Sequence, residues 1–141
     1  MNYLLYQPAL LSEPDVVYKD GSLLTEPSER GETYDKIVRL FEKAGHAQYP
    51  WVGKVDGLFV VRGLFSAKDE LGRVLAFLFA SDQKDFKDEL QSLASTVGYA
   101  VSDETYASID SFRDRTKKKT LAILTALALV CFTLILVSKC K

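Results

Sequence analysis

The chain has 141 residues, with eighteen Lys or Arg against nineteen Asp or Glu, two cysteines and one histidine. That length suits one modest domain, whereas Cys131 and Cys140 alone cannot build a disulfide scaffold, and a cysteine and histidine zinc centre cannot form around the single His46. Charge is divided unevenly: residues 1–112 hold eleven basic against eighteen acidic residues, a net of −7, while residues 113–119 carry +4. An acidic domain lacks the positive face that phosphate binding requires, so nucleic acid is not expected as a partner.

In chain order, Asn2 to Tyr6 predicts a short apolar strand that stops at Pro8. Ser12 to Pro14 reads as a turn, and Asp15 to Lys19 as a candidate second strand. The stretch Asp20 to Gly31 reads as loop, from its Gly, Pro and Ser content. A helix is predicted from about Thr33, because Tyr34, Ile37, Val38 and Phe41 recur at the three-and-four spacing of one buried face. Gly45 supplies its stop, and His46 is expected to satisfy carbonyls at that end. The following loop, His46 to Gly53, gathers Tyr49, Pro50 and the only tryptophan, Trp51. Aromatic residues on a loop serve either as binding anchors or as lids on a core, and Tyr49 and Trp51 are taken as candidate partner-binding residues.

Gly57 to Phe65 and Arg73 to Ser81 predict an antiparallel hairpin. Alternation places Leu58, Val60 and Leu64 on one face of the first strand, with Phe59, Val61 and Phe65 on the other, so both faces call for cover. The charged tip, Lys68, Asp69 and Glu70, is a second candidate contact for a protein partner. A helix capped by Ser81 or Asp82 follows, burying Phe86, Leu90, Leu93 and Val97 before Gly98. Its carboxylates, Asp82, Asp85, Asp88 and Glu89, read as a solvated face at the positive helix end. Tyr99 to Val101 predicts a closing strand, and a last helix restarts at Ser102.

From Leu121 to Val137 the chain carries no charge for seventeen residues. At 1.5 Å per residue that run is about 26 Å long, near the thickness of a thin bilayer's hydrocarbon, and predicts a transmembrane helix. Arg113, Arg115, Lys117, Lys118 and Lys119 precede it, whereas only Lys139 and Lys141 follow, which sets the N-terminal domain in the cytoplasm. Those five residues are then expected at the membrane surface. Met1 to Leu11 lacks a signal peptide's basic leader. The expected divisions are a cytoplasmic domain over 1–112, a basic segment over 113–119, a span over 120–138 and an external tail over 139–141.

The resulting fold class is α+β: a ferredoxin-like two-layer sandwich followed by one C-terminal transmembrane helix. The alternative is a profilin-like or longin-like sheet, using 15–19 and 49–54 as further strands. A longin domain on a tail anchor resembles vesicle-fusion proteins in layout. The segment between Val101 and the anchor is too short for the heptads those proteins need. RNA recognition on a ferredoxin-like sheet would need stacking aromatics along Arg73 to Ala80, where Leu75 and Ala80 stand instead, so Phe77 and Phe79 are assigned to the core.

No G-x-S-x-G elbow, phosphate-binding loop, H-E-x-x-H or dinucleotide fingerprint occurs, so no enzyme activity, metal or cofactor is expected. The functional expectation is a tail-anchored, single-pass adaptor whose cytoplasmic domain binds a protein partner or its own copy, with the lipid bilayer as its other partner. The alternatives are a membrane-perturbing effector of a bacterial defence system, with a cytoplasmic sensor, and an anchored subunit of an enzyme complex.

Overall fold

The computed structural model describes residues 1–8 and 15–139, with side chains described through Cys131 in the last helix. The turn expected at Ser12 to Pro14 and the side chains of the tail 139–141 lie outside the described residues. The chain divides into two compact units, Met1–Ile109 and Asp110–Lys141.

In the first unit, six strands form one antiparallel sheet: β1 (Asn2–Tyr6), β2 (Val16–Lys19), β3 (Ser22–Leu23), β4 (Trp51–Val55), β5 (Leu58–Lys68) and β6 (Val74–Ser81). Their spatial order is β3-β2-β1-β6-β5-β4. Two Asp-Gly pairs make the tight turns. Asp20 and Gly21 have φ of 52° and 79°, and Asp56 and Gly57 have 50° and 80°. Both residues of a type I′ turn need such left-handed angles, and that turn's twist matches the flanking strands.

The pleat sorts the sheet's side chains onto two faces. On one, Tyr3, Leu5, Val17, Val60 and Ala80 pack with Ile37, Leu40 and Phe41 of α1 (Pro27–Ala44). Opposite lie Leu4, Phe79, Phe77 and Phe65, none more than 1% exposed. The ring of Phe59 stacks on Phe86 of α2 (Phe86–Thr96) at 4.9 Å. Thr105 and Ile109, from the first turns of α3 (Asp103–Lys139), are fully buried on this unit as well. Helices therefore cover both faces of the sheet.

This corrects the ferredoxin-like sandwich, in which helices lie on one face only. The strands β2 and β4 add to the sheet at both sides, and α1 takes the opposite face from α2. The class α+β with a six-stranded antiparallel sheet is what the structure shows. The cover that both faces of the β5–β6 hairpin call for comes from the chain itself, through α1 and α2.

Between Leu64 and Lys68 the β5–β6 register slips through a bulge. There β5 turns to the chain leading into α3: Ser66 N–H donates to the Ala100 carbonyl and Ser102 N–H to the Leu64 carbonyl, both at 2.8 Å. The Leu64 N–H donates to Thr105 Oγ1 at 2.9 Å. A closing strand expected at Tyr99 to Val101 is thereby reduced to a single bridge, Phe65 to Val101. Ser102 Oγ accepts the Thr105 N–H at 3.3 Å, capping α3, whose start the sequence places at Ser102.

In the second unit the chain is helical through Lys139. Thr116, Thr120 and Thr125 each return a hydroxyl to the carbonyl four residues back, at 2.9–3.1 Å. The transmembrane helix is corrected here. Among the described residues, no helix is long and apolar enough to cross a membrane. The single-pass, tail-anchored topology and the membrane localisation fall with it. The membrane-surface role of Arg113, Arg115, Lys117, Lys118 and Lys119 was tied to that span. Arg113 is half-buried and the other four are exposed.

Candidate functional site

The hairpin β4–β5 stands at one side of the sheet, and among the described residues β4 pairs only with β5. Trp51 opens β4, directly across from Arg62. Its indole lies flat over Gly53, where a Cβ would come within 2.5 Å of Cη2. Only glycine admits the ring there. His46 stacks on the same indole, with centroids 5.1 Å apart. His46 therefore meets Trp51 rather than acting as the expected cap of α1. The Gly45 N–H closes that helix by donating to the Glu42 carbonyl.

Arg62 is the residue that sequence reasoning missed. It is half-buried, with its guanidinium over the rings of Phe41 at 5.1 Å and Tyr49 at 5.5 Å. Its Nη1 donates to the Tyr49 hydroxyl and its Nη2 to the Phe41 carbonyl, both at 3.4 Å. Those bonds are long, and Nε is buried with no acceptor among the described residues. A half-satisfied guanidinium between two rings favours a further acceptor, because an unpaired buried N–H is costly. A signal was available: Arg62 is the one charged residue within Gly57 to Phe65, a stretch otherwise apolar on both faces.

Tyr49, Trp51, His46 and Arg62 thus form one surface, with Tyr49 and His46 exposed and Trp51 half-buried. The other expected contact, Lys68, Asp69 and Glu70, lies elsewhere, at the far end of β5. Asp69 holds its own turn together. Its Oδ1 accepts the N–H groups of Leu71 and Arg73 at 2.9 and 2.8 Å, and its Oδ2 accepts Arg73 Nε at 2.7 Å. The backbone hydrogen bond from Arg73 comes first among the causes that hold the Asp69 carboxyl below its ordinary pKa. Lys68 and Glu70 remain exposed beside it.

A depressed carboxyl adds stability above the unfolded value of about 3.9 and loses it as pH falls through the folded value. Asp69→Asn should therefore be less stable than the native chain at neutral pH. The gap should close as acid protonates Asp69, when denaturant midpoints of the two chains are compared from pH 7 downward. A gap that stays constant would deny Asp69 this role.

The acidic start of α2 is not uniformly solvated. Glu89 Oε2 accepts the Ser81 hydroxyl at 2.6 Å and the Asn2 side-chain amide at 3.5 Å, tying α2 to β6 and β1. Asp82 accepts the Met1 ammonium at 2.7 Å instead of capping a helix. A groove of about 620 Å³ beside α1 has a charged rim in which Lys43 already pairs with Asp56 at 2.7 Å. No family model, no curated protein and no solved structure matches this chain.

Proposed function

We propose that the Met1–Ile109 domain is a protein-interaction module, an adaptor that receives its partner on the Tyr49, Trp51 and Arg62 surface at the β4 edge. The observation that carries this reading is the coincidence of two features. Tryptophan, tyrosine and arginine are the residues that dominate protein interfaces, since they bury much area for little lost freedom. They gather here beside a strand whose outer backbone groups have no partner among the described residues, the arrangement on which an added strand docks.

Trp51 is the only tryptophan, so its emission reports occupancy directly. Peptides selected on the full chain from a random displayed library should shift that emission on titration. Truncating a central interface residue typically costs 2 kcal/mol or more, so Arg62→Ala, read by that emission, and Trp51→Ala, read by titration calorimetry, should each weaken binding by about thirtyfold. Selected peptides that bind both variants as tightly as the native chain would remove this surface from consideration.

A further inference from the structure

We infer that a second copy of this chain pairs along β4, antiparallel about a twofold axis at Gly53, joining two six-stranded sheets into one. This rests on the reading of the β4 edge as the interaction surface, and it names the partner. The hydrogen-bonding pattern of the hairpin leads to it. The loop between β4 and β5 is the two-residue turn Asp56-Gly57, so the flanking pair Val55 and Leu58 exchanges both backbone bonds. Gly53 with Val60, and Trp51 with Arg62, then do the same, because such pairs alternate. The N–H and C=O groups of Val52 and Lys54 are left pointing away from β5.

Only Val52 and Lys54 can therefore meet a new strand, and that limits the twofold registers to three. An axis at Lys54 sets Lys54 against its own copy, and like charges directly opposite are unfavourable. An axis at Val52 sets Lys54 against Pro50, which lies outside β4 and has no N–H to give. With the axis at Gly53, each Val52 faces the copy's Lys54, and every pairing residue belongs to β4. Two pairs exchange two bonds each. On the α1 side of the sheet this register sets Trp51 against the copy's Val55, two half-buried apolar side chains, with Gly53, which the Trp51 indole covers, between them. Self-pairing thus uses the tryptophan that the geometry leaves partly uncovered.

Hydrogen exchange on the full chain, followed residue by residue at rising protein concentration, tests the inference. The amides of Trp51, Gly53 and Val55, bonded to β5, should be protected throughout. Those of Val52 and Lys54 should exchange freely in dilute solution and slow by about tenfold or more as concentration rises, tenfold being about 1.4 kcal/mol. Lys54→Pro deletes an N–H that faces away from β5, a position where an edge strand tolerates proline. It should keep the β5 ladder and lose the concentration-dependent protection at Val52. Should that variant fail to fold, the exchange pattern of the native chain decides alone. Free exchange of Val52 and Lys54 at every concentration overturns the inference, as does an increase in mass without their protection. Should selected peptides still need Trp51 in that event, the interaction surface stands while its partner is not a second copy.

Discussion

Replacing Phe65 with Ala lowers the unfolding free energy by about 3–5 kcal/mol, the range for removing a buried phenylalanine ring. Phe65 has no exposed surface. Its ring stacks on Phe77 at 4.6 Å and on Tyr99 at 4.9 Å, and meets Tyr6 edge-on at 5.7 Å. Neighbours on three sides cannot close over the gap without leaving their own contacts, so the site collapses poorly and the cost lies high in that range. The backbone at Phe65 adds a second reason. It bridges Val101, so loosening the ring also frees the chain that leads into α3. Urea unfolding followed by Trp51 emission measures the loss. As the control, Leu71→Ala at the exposed hairpin tip, where 71% of the residue faces solvent, changes stability by no more than about 0.5 kcal/mol. Equal effects at the two positions would refute the assignment of Phe65 to the core.

Gly63→Ala costs about 3 kcal/mol, at the upper end for overpacking a dense core. Gly63 sits opposite Phe77, whose ring covers it. A methyl group at Gly63 would come within 2.0 Å of Phe77 Cζ, and within 2.5 and 2.6 Å of Cε1 and Cε2. Its φ lies outside the left-handed region, so the penalty is steric rather than conformational. Phe77 is only 1% exposed and is pinned by Phe65, which leaves it nowhere to swing. Since one ring is the obstacle, a smaller residue there should relieve the clash. In a double-mutant cycle, Phe77→Leu therefore recovers part of the loss caused by Gly63→Ala, and strictly additive losses would contradict the close approach.

The elements that hydrophobic period alone specifies were legible. Asn2 to Tyr6, Ile37 and Phe41 of the α1 stripe with its Gly45 stop, and the hairpin of β5 and β6 lie where the sequence places them, whereas Tyr34, expected on that stripe, is exposed and Thr33 is buried. The alternation of Leu58 to Phe65 also told correctly that both faces of that strand need cover. Which helix supplies it depends on sheet order, and no local pattern encodes that. Two local signals were present and were read as loop. Pro27 starts α1, a first-turn position that suits its fixed φ and missing N–H, yet Gly31 inside the helix masked the signal. Asp20-Gly21 is among the strongest short hairpin signals available to a sequence and proved to be a tight turn, as did Asp56-Gly57, whose glycine was placed at the start of a strand.

The candidate site was half legible. Tyr49 and Trp51 stand out as aromatic residues on a short connection, but Arg62 joins them only through the β4–β5 register, which brings a residue eleven positions on into contact with Trp51. Asp69 shows the opposite case: a charge read as available to partners is spent inside its own turn. The uncharged run after Leu121 looked like a span from composition, whereas among the described residues no helix is long and apolar enough to cross a membrane.

The position of β1 in the middle of the sheet has a consequence for how the molecule is made. Its neighbours are β2, a few residues onward, and β6, whose Ser81 lies opposite Asn2. On a ribosome, β1 must wait for some eighty further residues before its second border is available. Contacts so distant along the chain close slowly, because the entropy of the intervening loop is lost before the pairing is gained. Nascent chains shorter than that expose Leu4, Leu5 and Tyr6 along an unshielded strand, the period in which a chaperone would be most useful to this protein.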